Sequence, residues 1–270
     1  MKYDYVLSFG DSTVAGTELI FQQTPTFLKE RLLPLKHNLD IRKDADIQED
    51  QLKEKELSFS NTLAKKFGIP CINFAIPAGS NDRNLRLLPE ALLKYPNSLV
   101  LFNYSYADRS ELFMPDSPAF FHTDSDDYIQ LTPSFINGPS FDIGSKKYQE
   151  LIKTWITDFY NIPDNYNRFK TYNMLLTVEL LCKHYAKNFT QIFLYDRILL
   201  EPNFQKETYS TIDKNYIFKF DIPDIPSLQN KNFGSLQRWA ETNKYPTCAG
   251  GHIGQKAHDE FANLLYDYFK

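Results

Sequence analysis

Two side chains able to act as a nucleophile and its base stand at opposite ends of the chain, each among small residues. Near the start, the apolar run Tyr5-Val6-Leu7-Ser8-Phe9 gives way to Gly10-Asp11-Ser12-Thr13-Val14-Ala15-Gly16. A strand that ends in a small-residue turn opening onto a helix gathers unpaired backbone N–H groups, and these favour an anion or a developing alkoxide. Ser12 lies at that point, but its hydroxyl needs a base before it can attack anything. Of the five histidines, His37, His122 and His184 lie in charged, loop or helix-face contexts. His252 instead sits in Cys248-Ala249-Gly250-Gly251-His252-Ile253-Gly254, a small-residue loop at the entrance of a helix and well suited to presenting an imidazole to a pocket.

The elements that must position these residues follow from periodicity. Short runs rich in β-branched and aromatic residues alternate with helical patterns, which predicts a parallel sheet with helices packed on it. The runs at 5–9, 69–74, 98–102 and 191–195 read as strands. Leu57, Phe59, Leu63, Ala64 and Phe67 fall near helical spacing, and Gly68 ends that helix. Further helices are predicted from Arg83 to Leu93, through a face made by Phe169, Tyr172, Leu176, Leu180 and Tyr185, and from Gly254 to Phe269. In such a sheet the loops after the first three strands emerge at the carboxyl edge, where open α/β sheets build their sites. That edge would collect Ser12, the turn Ala78-Gly79-Ser80-Asn81-Asp82 and whatever follows Phe102. Asp11 reads as a helix cap or a structural hydrogen-bond partner, His258 as a residue that caps or packs on the last helix, and Arg83 and Arg109 as surface salt-bridge formers rather than anion binders.

Bulk properties narrow the function. A chain of 270 residues accommodates one α/β domain with insertions at about 24–56 and 108–145. The first insertion contains a charged stretch, Lys29 to Glu56, that lacks a core-facing pattern and reads as solvated, helical at its ends. The second is Pro-rich, and its aromatics Phe120, Phe121, Tyr128 and Phe135 would suit an acyl groove or stacking on sugar rings. A net charge of -4 gives no reason to expect nucleic acid or an anionic membrane as partner. Cys71, Cys182 and Cys248 are widely separated with no Cys-x-x-Cys pair, so neither a disulfide framework nor a metal site is expected, and no cofactor is implied. Reduced thiols, Asp4 inside what would be a signal core and the absence of a membrane-length apolar run predict a cytoplasmic protein. The phosphate loop lacks its Lys, and neither Gly-x-Gly-x-x-Gly nor Gly-x-Ser-x-Gly occurs.

The ordered set of motifs resembles the SGNH, or GDSL, hydrolases. Gly10-Asp11-Ser12 resembles their first block, which carries the nucleophilic serine. Asn73-Phe74-Ala75-Ile76-Pro77-Ala78-Gly79 resembles the second, whose glycine supplies an oxyanion-hole N–H. His252-Ile253-Gly254-Gln255-Lys256-Ala257-His258, followed by Phe261-Ala262, resembles the last. The resemblance implies a three-layer α/β/α flavodoxin-like fold around a mostly parallel five-stranded sheet. It also implies hydrolysis of carboxylic esters on small molecules or glycans, with Ser12 as nucleophile, His252 as base, and the N–H groups of Ser12 and Gly79 in the oxyanion hole. Two departures stand out. The third block, Gly-x-Asn-Asp in the family, here reads Asn103-Tyr104-Ser105-Tyr106-Ala107-Asp108, so that Asn103 and Asn81 are the candidate side-chain donors. Ala249 occupies the place of the usual Asp before the histidine, so the simplest expectation is a Ser12–His252 dyad with a backbone carbonyl holding the ring. The rival reading is a binding or structural protein on the same scaffold that recognises a glycan or acyl group without turnover, its pocket filled by Tyr104 or Tyr106.

Overall fold

The computed structural model describes residues 2–20, 44–113, 128–131, 150, 154, 164–196, 206–222, 233–248 and 251–270. His37, His122, Phe120, Phe121, Phe135, Ala249 and most of both expected insertions lie outside the described residues. Four strands form the main sheet in the order β2-β1-β3-β6, all parallel: β1 (Tyr5–Phe9), β2 (Cys71–Asn73), β3 (Ser98–Tyr104) and β6 (Asn188–Phe193). This is the strand order of a flavodoxin-like sheet, with its switch point beside the first strand. The expected fifth strand is reduced, among the described residues, to a single parallel bridge between Gln191 and Ile217.

Alternation along the strands divides the core into two layers. Val6, Leu99, Leu101 and Ile192 face one side, where α3 (Phe59–Phe67), α7 (Leu236–Thr242) and α8 (Gln255–Phe269) cover them with Phe59, Leu63, Trp239, Phe261 and Leu265. Leu7, Phe9, Val100, Phe102 and Phe193 face the other, against α4 (Asn81–Lys94) and α5 (Asp164–Tyr185). The result is the expected α/β/α sandwich. Every residue of β3 is buried, as a central parallel strand requires. A short α1 (Ser12–Ala15) follows β1, and α2 (Asp44–Leu57) and α6 (Lys206–Thr211) complete the eight described α-helices.

Two elements differ from their expected placement. The last strand begins at Asn188 rather than Gln191, because Asn188 to Phe193 pair residue by residue with Leu99 to Tyr104. The pairing carries polar Asn188, Thr190 and Gln191 into the sheet, which an apolar pattern cannot reveal. On α5 the face toward the sheet is Tyr172, Leu175, Val178 and Cys182, whereas Phe169, Leu180 and Tyr185 are exposed. Apolar residues all round this helix leave periodicity without a unique face.

Part of the Pro-rich segment is ordered into an antiparallel pair, β4 (Ser110–Phe113) and β5 (Tyr128–Leu131). Arg86 of α4 fastens it: Nε and Nη2 donate to the Glu111 carboxylate at 2.7 and 2.8 Å, and the guanidinium lies 4.0 Å over the Tyr128 ring. No helix among the described residues is long and apolar enough to cross a membrane.

Candidate active site

The turn after β1 is built around Asp11. Its backbone is extended, and Oδ1 accepts from the Thr13 N–H at 2.9 Å, which caps α1. Oδ2 accepts from Ser105 Oγ at 2.6 Å, Arg109 Nη1 at 2.8 Å and Tyr195 OH at 3.1 Å. The carboxylate is fully buried and occupied by framework contacts, so it orients the Ser12 turn rather than facing a ligand. Burial and then the Asp11 charge push the Tyr195 hydroxyl well above its ordinary range. Arg109, expected in a surface salt bridge, thus closes an interior pair. Arg83, placed in the same class, is buried and donates Nη1 to the Phe74 carbonyl at 2.7 Å.

The loop before α8 presents His252. Its two arms are tied by an antiparallel bridge between Thr247 and Ile253, by Cys248 N–H to His252 O at 2.8 Å, and by Gly254 N–H to Pro246 O at 3.0 Å. The imidazole therefore projects from a stem whose two arms are tied together. Its Nε2 lies 2.8 Å from Ser12 Oγ, across 240 residues of sequence. Ser12 is 8% exposed, so most of the residue is enclosed.

On the far side of the ring, His252 Nδ1 lies 3.2 Å from Glu18 Oε2. A backbone carbonyl was expected there, and sequence reasoning passed over Glu18. The one local signal is its place six residues after Ser12, just past Gly16; nothing in residue spacing connects it with the carboxyl-terminal loop.

The structure distributes the expected oxyanion donors unevenly. The Ser12 N–H, at the first position of α1, has no intrahelical acceptor. Gly79 comes close to the Ser12 turn, since a β-carbon on it would fall 2.6 Å from the Gly10 carbonyl oxygen. Its own N–H donates to Ile76 O at 3.1 Å, inside a turn in which Ala78 has a φ of 59°. Neither asparagine is placed as proposed. Asn103 lies within β3, and its Nδ2 donates to Phe9 O at 2.7 Å and Leu101 O at 3.2 Å, so the amide is held inside the sheet. Asn81 Nδ2 donates to Ser105 O at 3.1 Å while Oδ1 accepts from the Ser105 N–H at 2.8 Å, which clamps the loop after β3 to the start of α4.

Other marked residues serve the frame. Asn73 Nδ2 donates to Val14 O at 3.0 Å and joins the end of β2 to α1. His258 is fully enclosed beside Phe59, and its Nδ1 accepts from the Phe59 N–H at 3.0 Å, capping α3, whose Ser58 N-cap turns its hydroxyl to the Lys55 carbonyl instead of to the helix N–H groups. Burial, and secondarily the neighbouring His252, lowers its pKa from 6.5 to about 3. No cluster of three or more His, Cys, Asp or Glu suited to a metal ion occurs among the described residues. Tyr104 is buried in the core, donating to Gln191 Oε1 at 2.6 Å, and Tyr106 stacks on Tyr195 at 4.0 Å.

No family model matches the chain, and no curated protein matches it. Among solved structures it is similar to the psychrotrophic esterase EstA from Pseudoalteromonas sp., in a structure inhibited by monoethylphosphonate: 12% identity and a TM-score of 0.39 over 98% of this chain and 96% of that one. It is also similar to an acetyl xylan esterase, Est2A, from the rumen bacterium Butyrivibrio proteoclasticus, at 12% identity and a TM-score of 0.39. A third neighbour is a carbohydrate esterase whose active site displays divergent catalytic and non-catalytic binding functions, again at 12% identity and 0.39. All of this chain aligns with these last two, and it spans 64% and 65% of their lengths.

Proposed function

We propose that the protein is a serine hydrolase that cleaves carboxylic esters through Ser12 and His252. The observation that carries this reading is the 2.8 Å approach of His252 Nε2 to Ser12 Oγ at the carboxyl edge of the sheet. That is the distance at which an imidazole removes a hydroxyl proton as the oxygen attacks. In the first half-reaction Ser12 Oγ bonds to the ester carbonyl carbon while its proton passes to Nε2. The Ser12 N–H supports the oxyanion, and the leaving alkoxide takes the proton from His252 as the C–O bond breaks. In the second, His252 removes a proton from water as it attacks the acyl-enzyme, and the acid departs with Ser12 restored.

The test is hydrolysis of short acetyl esters and acetylated glycans by the native chain and by Ser12→Ala. The reading requires a loss of at least ~10³-fold in the variant, on the scale of removing a nucleophile from such a site. Unchanged hydrolysis in Ser12→Ala overturns it.

A second reading, a binding protein with little turnover, draws on one observation: the Gly79 N–H, Asn81 and Asn103 are all engaged in framework hydrogen bonds. Losing one oxyanion donor costs ~10²–10³ in rate. A native chain that binds acetylated glycans but hydrolyses neither substrate class would favour this alternative.

A further inference from the structure

We infer that Glu18, fastened in place by Glu54 of α2, is the positioning acid of the Ser12–His252 pair. This rests on the hydrolase reading and extends it to a residue and a helix that no motif marks. Glu18 meets Nδ1 at 3.2 Å while Ser12 meets Nε2 at 2.8 Å, so the ring is held from both nitrogens. A carboxylate at Nδ1 fixes the tautomer that leaves Nε2 free to accept a proton, and it stabilises the imidazolium once the proton has moved. Glu18 stands 234 residues before the histidine in sequence and reaches it only through the fold.

The backbone at Glu18 is itself unusual. Its φ is 73°, a left-handed conformation that a residue with a β-carbon keeps only when its surroundings hold it there. Those surroundings belong to α2. The Glu18 N–H donates to Glu54 Oε1 at 2.7 Å, and Glu54 is 7% exposed. The approach is close on a second count, because a β-carbon on Gly16 would lie 2.4 Å from the Glu54 carbonyl oxygen. The loop at 16–18 is thus pressed against α2 by two backbone contacts, which turns the Glu18 carboxylate toward the ring. Cys248, from the His252 loop, lies in the same enclosure; burial, followed by the charges of Glu18 and Glu54, pushes its thiol up to about 12. Nucleophile and acid therefore flank the short α1, the base inserts between them from the other end of the chain, and a helix read from sequence as solvated supplies the clamp.

The experiment compares the native chain with Glu18→Gln, Glu18→Asp, Glu54→Leu and Ser12→Ala in an acetyl-ester assay. ¹⁵N NMR of the neutral His252 ring, assigned by its loss in His252→Ala, is recorded alongside. The expected result is a fall in kcat of ~10²–10⁴-fold in Glu18→Gln with KM changed less than threefold. Glu18→Asp recovers at least tenfold of that loss, and Glu54→Leu lowers kcat by about tenfold with KM unchanged. By NMR, Nδ1 carries the proton in the native ring, and Glu18→Gln moves it toward Nε2. Retention of Ser12-dependent hydrolysis within threefold in Glu18→Gln overturns the inference while leaving the hydrolase reading standing. An unchanged tautomer in that variant overturns it whether or not the chain turns over. Ser12→Ala with undiminished hydrolysis sinks the hydrolase reading instead, and the NMR result still decides whether Glu18 orients the ring.

Discussion

Arg109 Nη1 donates to Asp11 Oδ2 at 2.8 Å, an ion pair closed beneath the turn that carries Ser12, with Asp11 fully buried and Arg109 partly buried. The pair links the first and third loops of the carboxyl edge through Ser105, whose Oγ touches both partners.

Breaking that pair from one side leaves a buried charge without its partner. Arg109→Leu should therefore lower the unfolding free energy by about 3 kcal/mol or more. Urea denaturation read by circular dichroism measures it; a loss below about 0.5 kcal/mol would place the pair in solvent instead.

His258 gives the stability an acid limb. Its folded pKa is lowered from 6.5 to about 3, so below pH 6.5 the unfolded chain takes up a proton that the folded chain refuses. The contribution is complete above pH 6.5 and is lost progressively as pH falls toward 3, amounting to roughly a few kcal/mol at the low end. His258→Asn, which retains a side-chain acceptor for the Phe59 N–H, should flatten the fall in urea midpoint between pH 7 and pH 4. An equally steep fall in the variant contradicts the assignment.

Gly16 and Gly68 both end helices in the left-handed region, with φ of 77° and 68°, yet they should respond differently to alanine. At Gly68 a new β-carbon meets nothing within 4 Å, so only the backbone preference is lost, about 1 kcal/mol. At Gly16 the β-carbon would lie 2.4 Å from Glu54 O, so the loop or α2 must move. Gly16→Ala should cost at least twice as much in a thermal or urea melt and should lower hydrolysis as well, whereas Gly68→Ala leaves hydrolysis unchanged.

What could be read in advance divides along physical lines. The sheet and its main flanking helices follow from local signals, apolar runs and glycine stops, and small-residue turns mark Ser12 and His252 one by one; that the two belong together was an expectation from the ordered motifs, not from spacing. Glu18 did not follow from local signals, because its importance lies in a left-handed backbone and in a contact 234 residues away, neither of which leaves a mark on spacing. Glu54 was hidden for a related reason. A helix with hardly any apolar face reads as solvated, although one carboxylate on it is buried against the loop at 16–18. Asn103 misled in the opposite sense: β3 runs on to Tyr104, past the apolar run at 98–102, which keeps the Asn103 amide inside the sheet rather than at its edge.

The most direct test of the central claim is covalent capture of the nucleophile. Incubation with an organophosphonate, followed by intact-mass and peptide mass spectrometry, should give a single adduct on Ser12, formed at least ~10²-fold more slowly in His252→Ala. An adduct on another residue, or a labelling rate indifferent to His252, would contradict the account.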